Sequence, residues 1–335
     1  MASFKVVATD GLDKEAQEKL RAVSGIELTV LSSTPAPEVF AALRDADVAI
    51  IRSATVLKEN ILSQLSNLKG VLRAGVGIDN IDLQAAEKLG IWVWNAPTGN
   101  FQATAELALG LLFAVSRKIA FATEAARKGQ WAKKEIGTSG RQMMGSTLGI
   151  FGAGNIGLRV AKMASGLGMK VIVCDPIFKS SADAPFTVVS FEELLAQSDF
   201  ISIHSPLLDS TKHKFNYAAF QKMKKGSVIV NAARGGIIHE GDLVRALNDG
   251  LLGGAGLDVF EVEPFKADDP TTQALLSDQR VVITPHVGAQ TLESQKAVGL
   301  ETADKIIALK QCLAGTGVAP KTLNAPQSPR LSLRF

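Results

Sequence analysis

The sequence predicts an α/β protein built on two open, doubly wound parallel sheets. Three observations carry that prediction. Two separate series of short apolar runs alternate with amphipathic stretches; the runs are apolar throughout, not at every second residue; and 335 residues exceed what one core of ordinary size encloses.

In the first series KVVAT, IELTVL, VAII, VLRAG and IWVW are the candidate strands, and residues 12–23, 37–43, 57–65 and 83–89 carry the helical period between them. A strand apolar on both sides must be covered on both sides, which points to parallel pairing with crossover helices. Residues 101–116 are rich in Ala and Leu and read as a helix buried all round, hence a subunit interface in a homodimer or homotetramer. The second series, TLGIF, MKVIVCD, TVV, DFISIH, SVIVNAA, GGAGLDV and VVITPH, offers seven strands and a larger parallel sheet. One more helix spans residues 291–310. Few apolar residues follow Cys312, so the tail, 313–335, is expected to be loose or to drape over a surface.

Composition narrows the function. Apolar residues at 46% and charged residues at 21% suit a globular enzyme and not a disordered chain. A net charge of +3, one Tyr and the lack of a Lys/Arg run argue against nucleic acid. The apolar stretch 107–115 is about half of what a bilayer requires, and the amino terminus has no signal-peptide pattern, so no membrane and a cytoplasmic location are expected. Cys174 and Cys312 have no metal-type spacing and read as free thiols, with no metal site.

GAGNIG, Gly152 to Gly157, lies between the strand TLGIF and a helical stretch. Gly152 makes the tight turn, Gly154 admits a pyrophosphate to the backbone, and Gly157 lets helix and strand pack closely, while the helix amino terminus offers N–H groups to the phosphates. The next strand ends in Asp175, where a carboxylate accepts from the adenosine ribose and repels a 2′-phosphate. NAD is the expected cofactor.

Hydride transfer to a 2-oxo acid also needs a proton donor, a cation for the carboxylate, and a group that holds the donor protonated. Of the four histidines, His213 and His239 lie among charged residues and read as solvated. His204 ends DFISIH and His286 ends VVITPH, so both reach the ligand edge of the sheet, and the residues alone do not choose between them. Arg234 follows a buried strand, where an anionic substrate is its natural partner. Asp258, Glu261 and Glu263 in LDVFEVEP offer a carboxylate for the histidine.

These segments resemble the D-isomer-specific 2-hydroxyacid dehydrogenases over residues 5–310. ARGG, DVFEVEP and PHVGA are the segments that carry that family's catalytic Arg, Glu and His, which the resemblance assigns to Arg234, Glu263 and His286. It implies a flavodoxin-like substrate domain, 1–98 with 288–312, into which a Rossmann NAD domain, 99–287, is inserted, with the active cleft between them. Besides Gly152, Gly154, Asn155, Ile156, Gly157 and Asp175, it implies cofactor contacts from Val76, His204, Ser205, Pro206, Ala232, Ala233, Asp258, Gly288 and Ala289.

RSAT, RAGVGIDNID and NAPTGN are most similar to the branch of the family that oxidises 3-phospho-D-glycerate to 3-phosphohydroxypyruvate at the entry to serine biosynthesis. That similarity implies Arg52, Ser53, Gly75, Val76, Gly77, Asn100, Arg234 and His286 as substrate residues, with Arg52 on the distal phosphate and charge added by Lys133 or Lys134. FQATAEL replaces the more usual SxSAAEL at a helix start, and the resemblance does not extend to the carboxy-terminal regulatory domain of the longer members, so it leaves serine feedback open. Two other readings share these residues: a hydroxypyruvate or glyoxylate reductase, and a NAD-sensing, corepressor-like binding protein.

Overall fold

A computed structural model describes residues 3–32 and 36–333; the first two residues of the expected domain 1–98, residues 33–35, and the last two of the tail 313–335 lie outside the described residues. The chain divides into two units, one holding the described residues up to Asn100 and from Gln290 on, the other Phe101–Ala289.

The first unit carries β1 (Phe4–Ala8), β2 (Ile26–Val30), β3 (Val48–Ile51), β4 (Gly70–Arg73) and β5 (Trp92–Asn95), all parallel in the order β2-β1-β3-β4-β5. This is the flavodoxin-like doubly wound order. Alternation across the sheet explains the unbroken apolar runs. Val6 and Ala8 of β1 face a cluster with Ile50, Leu72 and Trp94, and Val7 faces another with Ala49, Ile51 and Val71. Each Val or Ile so buried contributes about 1.5–3 kcal/mol. Helix Leu292–Leu313 belongs to this unit and adds Val298, Ala303 and Ile306 to the first cluster.

The tail drapes and does not hang loose. Leu323 N–H donates to Val93 O at 2.8 Å, the Asn324 side chain bonds Val93 N and Ile91 O, and the Trp92 and Trp94 indoles donate to Leu331 O and Pro320 O.

The second unit carries β6 (Thr147–Phe151), β7 (Lys170–Cys174), β8 (Thr187–Val188), β9 (Phe200–Ile203), β10 (Ser227–Asn231), β11 (Leu252–Leu257) and β12 (Val281–Ile283). Its parallel order is β12-β11-β10-β9-β6-β7-β8, a Rossmann sheet with one added strand, and the order reverses at β6. Helix Phe101–Ser116 departs from expectation. Ala105, Ala108, Leu111, Leu112 and Val115 pack into the unit's own core, and Gln102, Glu106, Gly110 and Phe113 form an exposed line, so the helix is not buried all round and most of its apolar residues pack within the chain.

The expected helix at 57–65 is a single turn, Glu59–Leu62, and helices Ile119–Arg127 and Lys133–Gly137 were not foreseen. Cys174 and Cys312 are not bridged by a disulfide, and among the described residues no helix is long and apolar enough to cross a membrane.

Candidate active site

In the second unit the loops that follow β6, β7, β9, β10, β11 and β12 all leave the carboxyl edge of one parallel sheet. Gly152, at φ +94°, turns the chain after β6, and Gly154 precedes helix Asn155–Gly166, so Asn155 and Ile156 form its first turn. A Cβ on Gly157 would stand 2.0 Å from Gly152 O, whereas one on Gly154 would meet nothing within 4 Å. Helix and strand therefore touch at the first glycine, and open space faces the second. That space beside a helix amino terminus fits a pyrophosphate.

Asp175 accepts from Ala153 N at 2.8 Å, Ile177 N at 2.8 Å and Phe178 N at 2.9 Å. Burial pushes its pKa up, but the three N–H donors together hold it below the usual carboxylate value. Oδ2 takes only one of these bonds, which leaves it able to accept a ribose hydroxyl. His204 follows β9 with Nε2 bonded to Ser202 Oγ at 2.8 Å and Nδ1 buried, without a hydrogen-bond partner among the described residues. Burial lowers its pKa to about 3. Ser205 and Pro206 continue that loop, and Ala232, buried, and Ala233 continue β10.

His286 adopts φ +53°, and its Nδ1 lies 2.6 Å from Glu263 Oε2. Burial raises the Glu263 pKa, yet the His286 bond and charge, the Phe260 N–H and the Arg234 charge outweigh it and bring the carboxyl below its ordinary value. An ionised carboxylate only accepts, so Nδ1 carries the proton and donates, and Nε2 is left for other partners. Arg234 Nη1 donates to Ala233 O at 2.6 Å, and Asn231 braces the turn through Arg234 O and Ala233 N. A Cβ on the next residue, Gly235, would fall 1.9 Å from Phe260 C, so the arginine turn and the Glu263 loop run in backbone contact.

Asp258, expected among the cofactor contacts, also has a structural task. It is 1% exposed and anchors the His286 loop, accepting from Thr284 Oγ1, Val287 N and Gly288 N at 2.6, 2.8 and 2.9 Å. Gly288 O in turn accepts from Thr104 Oγ1, and Ala289 ends the unit. Burial raises the Asp258 pKa against these bonds. His213 and His239 are not simply solvated: their rings meet edge to face at 4.8 Å, and His239 Nδ1 accepts from Asp242 N at the start of helix Glu240–Asn248. Lys133 and Lys134 are exposed.

In the first unit Arg52 follows β3, and its guanidinium is bonded to the neutral Gln295 side chain. Burial lowers its pKa, and the Asp10 charge acts the other way. Ser53 beside it is exposed. Asp10 accepts from Arg52 N and Thr55 N, and the Asn80 side chain donates to Arg52 O and Thr55 O, both at 2.6 Å. Gly75, Val76 and Gly77 follow the neighbouring strand, with Val76 O bonded by the Asn95 side chain. Asn100 is buried, and its Oδ1 has no partner among the described residues. Sequence reasoning missed Asp10, Asn80 and Gln295. Asn80 stands within RAGVGIDNID, a segment already singled out, and Asp10 directly follows KVVAT.

Residues 109–288 match the family described as D-isomer specific 2-hydroxyacid dehydrogenase, NAD binding domain. The chain belongs to this family. Its second unit is the family's NAD-binding domain, and the glycine loop, helix terminus and Asp175 fit that cofactor. The chain is 44% identical over 306 residues to a hydroxypyruvate reductase of Thermotoga maritima, covering 91% of this chain and 98% of that one. It is 40% identical over 332 residues to a D-3-phosphoglycerate dehydrogenase of Methanocaldococcus jannaschii, covering 98% of this chain but 61% of the relative's length. Among solved structures, a glyoxylate reductase from Paecilomyes thermophila matches with a TM-score of 0.83 at 30% identity, covering 96% of this chain and 99% of that one.

Proposed function

We propose that the chain oxidises 3-phospho-D-glycerate to 3-phosphohydroxypyruvate, the first step of serine biosynthesis. The 2.6 Å bond between His286 Nδ1 and Glu263 carries the acid–base part of this reading, because it leaves Nε2 to take the substrate's hydroxyl proton. Glu263 steadies the imidazolium that results. Arg234 takes the substrate carboxylate in bidentate fashion and polarises C2. Bound NAD would supply the acceptor for the C2 hydride. The Gly75–Gly77 backbone and Asn100 serve the carboxylate end. Arg52 takes the distal phosphate, supported by a half-buried guanidinium whose bonded partner is a neutral amide. A cytoplasmic location and a homo-oligomer belong to the same reading, the latter supported by the exposed Phe113, Ile119 and Trp131.

A second reading, reduction of hydroxypyruvate or glyoxylate, is favoured by the Thermotoga maritima relative, which matches along nearly all its length. Steady-state assays with NAD and 3-phosphoglycerate, and with NADH and hydroxypyruvate, decide between them. His286→Ala or Arg234→Ala should cut kcat by about 10²–10⁴-fold in either direction while NADH affinity holds. Arg52→Ala should raise KM for the phosphorylated substrate roughly 10- to 100-fold and leave hydroxypyruvate unaffected. Equal losses on both substrates would remove Arg52 from the phosphate, and near-parent turnover by the His286 variant would end the acid–base assignment.

A further inference from the structure

At the amino ends of β10, β11 and β12, the sheet edge opposite the glycine loop, the second unit holds a cavity of about 450 Å³. Val115, Phe121 and Val228 give it apolar walls, and Lys118, Arg141 and Arg280 supply three cations. Glu135, exposed on its own short helix, is the acid among the lining residues.

The three cations are not equivalent. Arg280 is matched by Asp278 through two bonds of 2.9 and 2.5 Å and also donates to Leu247 O. Arg141 donates to Gly226 O, lies over the Phe200 ring, and stands 3.6 Å from Asp199, which Lys224 shares. Lys118 has neither kind of support. Its Nζ makes one long contact, 3.4 Å to Gly253 O, and among the described residues no carboxylate lies within ion-pair distance of it. Burial, then the Arg280 charge, lower its pKa, and Asp278 opposes them only from a distance. The backbone at Lys118 is left-handed, φ 54° and ψ 36°, a conformation disfavoured for lysine. A strained backbone thus holds a half-buried ammonium beside a second cation, and an anion in the cavity would relieve both the desolvation and the like-charge repulsion.

We propose that this cavity binds a small amphipathic monocarboxylate, with its carboxylate on Lys118 Nζ and its apolar body against Val115, Phe121 and Val228. One negative charge suffices because the two arginines already face carboxylates. The volume falls in the usual range for small-molecule sites. The site is separate from the residues assigned to catalysis and does not depend on which 2-hydroxy acid they turn over.

The test titrates the full chain, saturated with NADH, with phenylacetate and with its neutral isostere phenylacetamide, by calorimetry. Phenylacetate should bind at least tenfold more tightly than the amide. Lys118→Asn, which keeps a residue tolerant of the left-handed backbone, should weaken phenylacetate at least tenfold. Lys118→Arg should retain it, and so should Arg234→Gln. Thermal melts of each variant show whether the fold is kept, and the acid–amide comparison on the parent chain stands without any variant. Equal affinity for acid and amide, no binding, unaltered binding by Lys118→Asn, or loss in Arg234→Gln would overturn the proposal. So would a self-associated parent that binds no phenylacetate and that Lys118→Asn disperses, because the cavity would then belong to a contact between copies.

Discussion

His204 and His286 leave the same edge of one sheet and differ in what surrounds their rings. A histidine that titrates at about 3 is neutral throughout the physiological range, so His204 can shape a wall but cannot deliver a proton. His286 keeps a side chain 40% exposed and fixes its tautomer on Glu263. Strand position put both at the sheet edge and left the choice to the family resemblance, which favoured His286, because burial of a ring depends on segments distant in the chain. The pair has a pH signature. Glu263 titrates below its ordinary value in the folded chain, so its contribution to stability is complete above about pH 4.5 and is lost as pH falls through the lower folded value. Glu263→Gln cannot ionise. Its melting temperature should lie roughly 2–4 °C below the parent's near pH 7, and the gap should close in acid, since the other depressed carboxylates are common to both chains. A gap of the same size at pH 3 and pH 7 would show that the carboxylate charge is not what stabilises the pair.

At the scale of elements, strands buried on both faces were legible as apolar runs, and the glycine loop was legible because its residues are contiguous. Less legible were arrangements made by backbone groups from another segment. Asp258 looked like one more acid at a ligand edge, and only the approach of Val287 and Gly288 N–H makes it an anchor. His239 looked solvated because helix capping by an imidazole leaves no pattern in composition. Within the loop, the two glycines make opposite demands. Gly157→Ala drives a methyl against Gly152 O at 2.0 Å and should cost on the order of 1–3 kcal/mol, read as a lowered melting temperature. Gly154→Ala meets no protein atom within 4 Å, so it should melt with the parent yet bind NADH at least tenfold more weakly in a fluorescence titration. Parent-like NADH affinity in Gly154→Ala would mean that the phosphates lie elsewhere.

On the scale of the whole molecule, strand alternation predicted two parallel sheets, and the insertion of one unit within the other followed from the family resemblance and not from periodicity; helix Leu292–Leu313 joins the apolar cluster of β1. The tail was the harder case, because its attachment relies on backbone groups and a few polar side chains where a reader of sequence looks for apolar runs. β5 is the edge strand of its sheet, and an open edge invites pairing with another chain. Asn324 occupies Val93 N and Ile91 O, Leu323 N takes Val93 O, and Arg330 donates its backbone N–H to Gly90 O and its guanidinium to Leu65, Ser66 and Leu68 carbonyls. Leu331 and Leu333 add apolar cover to the core beside Trp92. A chain truncated after Val318 should therefore melt several degrees lower, since it loses about a kcal/mol for each of several hydrogen bonds along with that cover. Its tryptophan emission should shift to the red as the two indoles lose their carbonyl partners to water. Sedimentation should show concentration-dependent association of the truncated chain through the bared strand. If it sediments and melts as the parent does, the strap contributes nothing to the edge it covers.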